Sequence, residues 1–186
     1  MGKKIVLSKG FFLGSLLGGS IFAVILYIAG IALIASTEEP FPGVLLIVLG
    51  VLTAVYIAVV MCVMVYRMWK AIQDGHARTT PGKAVGFLFI PLFNLYWVFQ
   101  AYWGFSKDYN AFIERYSIAT DRLPEGLFLA YAILSVTSAI PYLGMLAGIA
   151  SFIIFIIMVV KICDAVNALQ TAIPVEPVST PEVGGQ

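Results

Sequence analysis

Charge-free stretches and short polar ones alternate along the whole chain. Lys, Arg, Asp and Glu are absent from residues 10–37, 40–66, 84–106 and 126–160. About 20 apolar residues suffice for one helical crossing of a bilayer, so each tract can span at least once. As a single helix the fourth would be about 52 Å long against a hydrocarbon core of roughly 30 Å, and Ile140-Pro141-Tyr142 divides it. The pattern predicts helices at about 11–36, 42–74, 124–139 and 142–170, with the third tract broken into 84–90 plus 94–116. The expected fold is all-α: a polytopic integral membrane protein with four transmembrane helices plus a Pro-broken re-entrant or interfacial aromatic helix. Residues 1–170 form one helical domain, and 171–186, with Pro174, Pro177 and Pro181, read as a flexible tail.

The third tract contains PLFNLYWVFQAYWGF, residues 91–105. Pro91 cannot continue a helix begun near Ala84, and Asn94 is placed to cap a new one through its side-chain oxygen. From Leu95 to Tyr116 the aromatics keep helical spacing, with Gln100, Gly104, Lys107, Ala111 and Glu114 along another face. A two-faced helix rich in Tyr and Trp suits the edge of a membrane. Pro91, Asn94, Trp97, Gln100 and Trp103 are therefore the candidate turn or ligand-contact residues.

Composition agrees with the pattern: 61% of residues are hydrophobic, 11% are charged, and mean hydropathy is +0.98. Soluble domains carry roughly a quarter charged residues. Orientation follows from Lys and Arg, which collect on the cytoplasmic side. Lys3, Lys4 and Lys9 precede the first helix, and only Glu38 and Glu39 separate it from the second. If the aromatic segment dips and returns, all eleven basic residues share one side. A plain third crossing instead puts Lys107, Arg115 and Arg122 outside. The favoured placement is the inner (cytoplasmic) membrane of a bacterium, with both termini cytoplasmic. The first apolar run is too long for a signal-peptide core of about 7–15 residues, and Val6 breaks a myristoylation pattern.

Three helices carry polar extensions: Arg67, Lys70 and Asp74; Lys107 and Asp108; Lys161, Asp164 and Asn167. The spacing of the first and last sets gathers each on one helix face, and the segment around Lys107 and Asp108 does something similar, either as snorkelling ends or as a docking surface. Gly14-x-x-x-Gly18 and Gly144-x-x-x-Gly148 mark faces where helices can approach closely, within one chain or between chains. Ile90-Pro91-Leu92 and Ile140-Pro141-Tyr142 share a dipeptide, a weak sign of duplication.

Chemical motifs are few. His76 stands alone in an expected turn, and Cys62 and Cys163 read as apolar fillers. The chain carries no G-x-S-x-G, Walker A or paired-His pattern. The expectation is a protein that is not an enzyme, uses no cofactor and binds no nucleic acid. Its partners are the lipid bilayer and other membrane-protein subunits or further copies of itself. The expected role is a structural or accessory subunit of an inner-membrane assembly. The alternatives are a transporter or channel-like module with a re-entrant segment, and a lipid, quinone or pigment binder.

The run RTTPGKAVGFLFIPLFNLYWVFQ resembles a family of uncharacterised bacterial multipass membrane proteins with an I-P-x-x-N aromatic segment. Arg67, Pro81, Ala84, Pro91, Asn94, Gln100 and Gln170 are the matching positions, across roughly residues 60–170. Phe99 stands where that pattern has a second proline, just before the glutamine. The resemblance implies no activity, cofactor or substrate.

Overall fold

The computed structural model describes residues 5–172; Lys3, Lys4 and nearly all of the expected tail lie outside them. The described residues are helical, without strands. In chain order the elements are α1 (Lys9–Ser36), α2 (Phe41–Ala71), α3 (Pro81–Gly86, extended by a tighter turn, Phe87–Phe89), α4 (93–115), α5 (Glu125–Thr137) and α6 (Leu143–Ala172).

Three of these helices, α1, α2 and α6, are long and apolar enough to cross a membrane, one fewer than expected. The shortfall is α5. Pro124 precedes it and beyond Ser138 the hydrogen bonds tighten to three-residue turns, Ala139 to Val136 and Ile140 to Thr137, so its 13 residues rise only about 20 Å. Local signals account for the other starts: Ser8 Oγ accepts from the Phe11 N–H, Thr80 Oγ1 accepts from the Lys83 N–H, and Pro42 and Pro81 occupy first-turn positions.

The two Ile-Pro steps build the same turn. Leu92 has φ +63° and ψ −44°, and Tyr142 has φ +66°. In one, the Phe93 N–H donates to the Pro91 carbonyl (2.7 Å) and the Asn94 N–H to that of Ile90 (2.9 Å). In the other, Leu143 donates to Pro141 (2.9 Å) and Gly144 to Ile140 (2.7 Å). A hydrogen bond spanning two residues at positive φ is the rare, strained γ-turn. Each reverses the chain, giving hairpins α3–α4 and α5–α6.

Side-chain packing concentrates at one end of the molecule. There Met64, Met68 and Trp69 of α2, Phe105 and Tyr109 of α4, Phe128 of α5 and Met158, Ile162 and Val166 of α6 are all fully buried. Among the described residues, Lys9, Arg67, Arg78 and Arg115 make their polar contacts around this end. Away from it, α1 and the first part of α2 run as a two-helix ribbon whose large side chains face outward. The expected apolar face of α4 exists, since Tyr102, Phe105, Tyr109 and Phe112 are buried, but it meets protein rather than a membrane edge. Leu95 and Tyr116, assigned to that face, are exposed.

Candidate functional site

The aromatic hairpin is held by three rings and one hydrogen bond. Phe93 stacks on Trp97 at 5.6 Å and 22°, and Phe87 meets Trp97 edge-on at 4.7 Å. Trp97 Nε1–H donates across the hairpin to the Ala84 carbonyl (3.0 Å), which satisfies a buried indole and fixes the separation of the arms. Trp97 is therefore a packing residue. The turn itself projects: Phe89 is 69% exposed and Leu92 82%.

Asn94 does not cap the helix. The helix begins at Phe93, its flanking position is Leu92, and the Ile90 and Leu92 carbonyls take the Asn94 and Leu95 N–H groups that a cap there would have served. Asn94 Oδ1 is buried with no hydrogen-bond partner among the described residues.

Farther along α4 the helix widens to an i→i+5 turn over Phe99–Trp103. Within it the Ala101 carbonyl accepts from Trp69 Nε1–H (3.0 Å), joining α4 to α2. On another face, Tyr96, Gln100, Gly104 and Asp108 recur every fourth residue and form one line. Gln100 Nε2–H donates to Tyr96 Oη (2.9 Å). The Arg78 guanidinium donates to Asp108 Oδ1 through Nε (2.8 Å) and Nη2 (2.6 Å), and reaches Gln100 Oε1 at 3.5 Å. Gly104 makes room for it, since a Cβ there would stand 3.1 Å from Arg78 Cδ.

Most of the polar extensions are engaged inside the chain. Helix α2 ends at Ala71, so Asp74 does not continue the face of Arg67 and Lys70 as expected. It lies in the following turn, where it accepts the His76 backbone N–H (2.9 Å) and pairs with Arg115. Burial pushes the Asp74 carboxyl up, but the His76 N–H and Arg115 outweigh it and hold the group below its ordinary value. Asp108 pairs with Arg78, and Asp164 with Lys9. Asn167 brackets Leu7, accepting its N–H and donating to its carbonyl at 2.8 Å each, while Gln170 accepts the Ile5 N–H. Arg67, Lys70, Lys107 and Lys161 have no carboxylate within 4.0 Å among the described residues. Lys107 Nζ lies 3.5 Å above the Trp103 ring, a cation–π contact.

The two small-residue faces differ. A Cβ on Gly144 would overlap the Ser138 carbonyl, so that glycine permits the tight α5–α6 reversal; one on Gly148 would be 3.9 Å from Ser138 Cβ. A Cβ on Gly14 or Gly18 meets nothing within 4 Å. These two line an open groove of ≈ 680 Å³ with Ser15, Phe22, Thr53 and Tyr56, where Ser15 Oγ and Tyr56 Oη are 3.2 Å apart.

Three features escaped the sequence reading. Gly30 and Gly43 face each other across the α1–α2 ribbon, each Cβ position 2.6–2.7 Å from the other's carbonyl oxygen, and Gly50 abuts the Ala23 carbonyl at 3.2 Å. Asn110 is 3% exposed and ties α4 to the next loop: its Nδ2–H group donates to the Leu123 carbonyl (3.0 Å) and Glu125 Oε1 (2.9 Å), and its Oδ1 accepts the Leu123 N–H (2.8 Å). Arg78 is the third. Neither it nor Asn110 belongs to a sequence motif that marks it. Cys62 and Cys163 are free thiols, and His76 occupies an exposed turn. No family model, curated protein or solved structure matches the chain.

Proposed function

We propose that the protein is a non-enzymatic multipass subunit that assembles with other membrane-protein chains, or with copies of itself, through the groove along Gly14 and Gly18. The observation that carries this reading is the contrast between glycine faces. Gly30, Gly43 and Gly50 are closed by their own chain, whereas Gly14 and Gly18 stand open beside the Ser15 and Tyr56 hydroxyls. Lipid tails supply neither close backbone contact nor hydrogen-bonding groups at such a face, and a neighbouring helix supplies both. The chain is placed in a bacterial inner membrane with both termini cytoplasmic, following its Lys and Arg distribution, which requires the α5–α6 hairpin as a whole to return to the side it leaves. In that placement the α3–α4 hairpin re-enters the membrane and returns. The test is extraction in a gentle detergent followed by native mass measurement: a complex or homo-oligomer is expected, and a clean monomer counts against the reading.

A transporter or channel-like module is the second reading, and Asn94 is the observation that favours it. A buried carbonyl oxygen without a partner among the described residues, at a broken-helix turn, is the kind of group that lines a polar path. Its test is solute flux in proteoliposomes, where unchanged flux on Asn94→Ala removes the path.

A further inference from the structure

We infer that the α3–α4 hairpin is a binding site for anionic phospholipid, with its apolar turn inserted among acyl chains and Lys83 and Lys107 holding the headgroup; this rests on the re-entrant placement of the hairpin. The turn presents Phe89, Leu92 and Tyr96 outward, at 69%, 82% and 55% exposure. Such a surface is costly in water and at home in lipid. Four N–H groups of the irregular backbone there are supplied from within the segment: those of Ile90, Phe93, Asn94 and Leu95 donate to Phe87, Pro91, Ile90 and Leu92. Backbone groups paired in this way meet the hydrocarbon region at far lower cost than unpaired ones.

Behind the turn the two arms carry the cations. Lys83 is exposed on α3, close in sequence to Ala84, whose carbonyl binds Trp97 of the opposite arm. Lys107 lies back along α4 onto Trp103, which is about 16 Å from Leu92 at 1.5 Å per residue. That distance matches the depth from headgroup level into one leaflet. Arg78, just before α3, is neutralised by Asp108, but neither lysine has a carboxylate within 4.0 Å among the described residues. Two uncompensated ammonium groups above an inserted apolar turn favour a net-negative headgroup over a zwitterionic one. Each basic group near a membrane surface contributes about fivefold in affinity for anionic lipid.

The experiment is tryptophan quenching in the full chain reconstituted with brominated phosphatidylglycerol or brominated phosphatidylcholine. The inference expects phosphatidylglycerol to quench preferentially, corresponding to roughly fivefold or greater enrichment. Lys83→Gln with Lys107→Gln is expected to bring the two lipids to parity. Arg67→Gln with Lys161→Gln, off the hairpin, keeps the preference. Equal quenching of the native chain, or a preference that survives the Lys83/Lys107 pair, overturns the inference while leaving the hairpin in the membrane. Absence of quenching by either lipid overturns the re-entrant placement itself. Excess inorganic phosphate is expected to change nothing; loss of the preference in phosphate would assign the lysines to a free anion and reject the lipid site.

Discussion

The two ends of this molecule are held together by different means. At the basic end, rings and long aliphatic side chains from four helices interlock, and buried polar groups such as Asn110 and Trp69 Nε1 find defined partners. The α1–α2 ribbon buries almost no large side chain beyond that end and relies on backbone contact at Gly30, Gly43 and Gly50. Lipid already solvates apolar side chains, so burying them adds little there, while close backbone approach remains favourable. Side-chain volume should therefore govern stability at one end, and its absence at the other.

Truncation separates the two most sharply. Trp69→Ala removes a fully buried indole and its bond to the Ala101 carbonyl, and is expected to lower stability by about 3–5 kcal/mol in unfolding from mixed micelles. Ile25→Ala, at a 57% exposed ribbon position, should change it by less than about 0.5 kcal/mol. Equal losses would erase the distinction. Enlargement reverses the order: Gly43→Ala places a methyl against the Gly30 carbonyl and is expected to cost about 1–3 kcal/mol. Gly18→Ala, with open space around it, should be neutral or stabilising by up to about 1 kcal/mol in the isolated chain.

How much of this was legible depended on the range over which each signal acts. Helix ends were readable because they are local: Pro91 and Pro141 break helices where they stand, and the short 37–40 connection forces α1 and α2 into an antiparallel pair. The α5 crossing was overestimated because an apolar composition does not reveal how soon the α-helical pattern ends before Pro141. Long-range pairing was not readable. Asp74 looked like part of a helix-end stub, yet its partner Arg115 is 41 positions away. The face of Tyr102, Phe105 and Tyr109 was read as meeting the membrane edge, because in a membrane protein an apolar stripe is equally at home against lipid or protein. A G-x-x-x-G pattern likewise reads the same whether its face is closed, as around Gly144, or open, as at Gly18.

Two smaller effects sharpen the picture. The Asp74 carboxyl is held below its ordinary 3.8, so its clasp on Arg115 stabilises the fold above that pH and is lost as pH falls through the lower folded value. Asp74→Asn should flatten the acid limb of a stability–pH profile; an unchanged limb would show that the clasp does not contribute. Leu92→Gly should relieve positive-φ strain by about 1 kcal/mol in detergent, and Tyr142→Gly should behave alike if the two turns are equivalent. Opposite signs at the two sites would separate them.

The open glycine face is the claim on which the functional reading depends, and native mass measurement of Gly14→Leu with Gly18→Leu tests it most directly. The account predicts that the native chain is recovered in a complex and the double variant as a monomer of unchanged helical content. A complex that survives both leucines, or a native chain that is already monomeric, would contradict it.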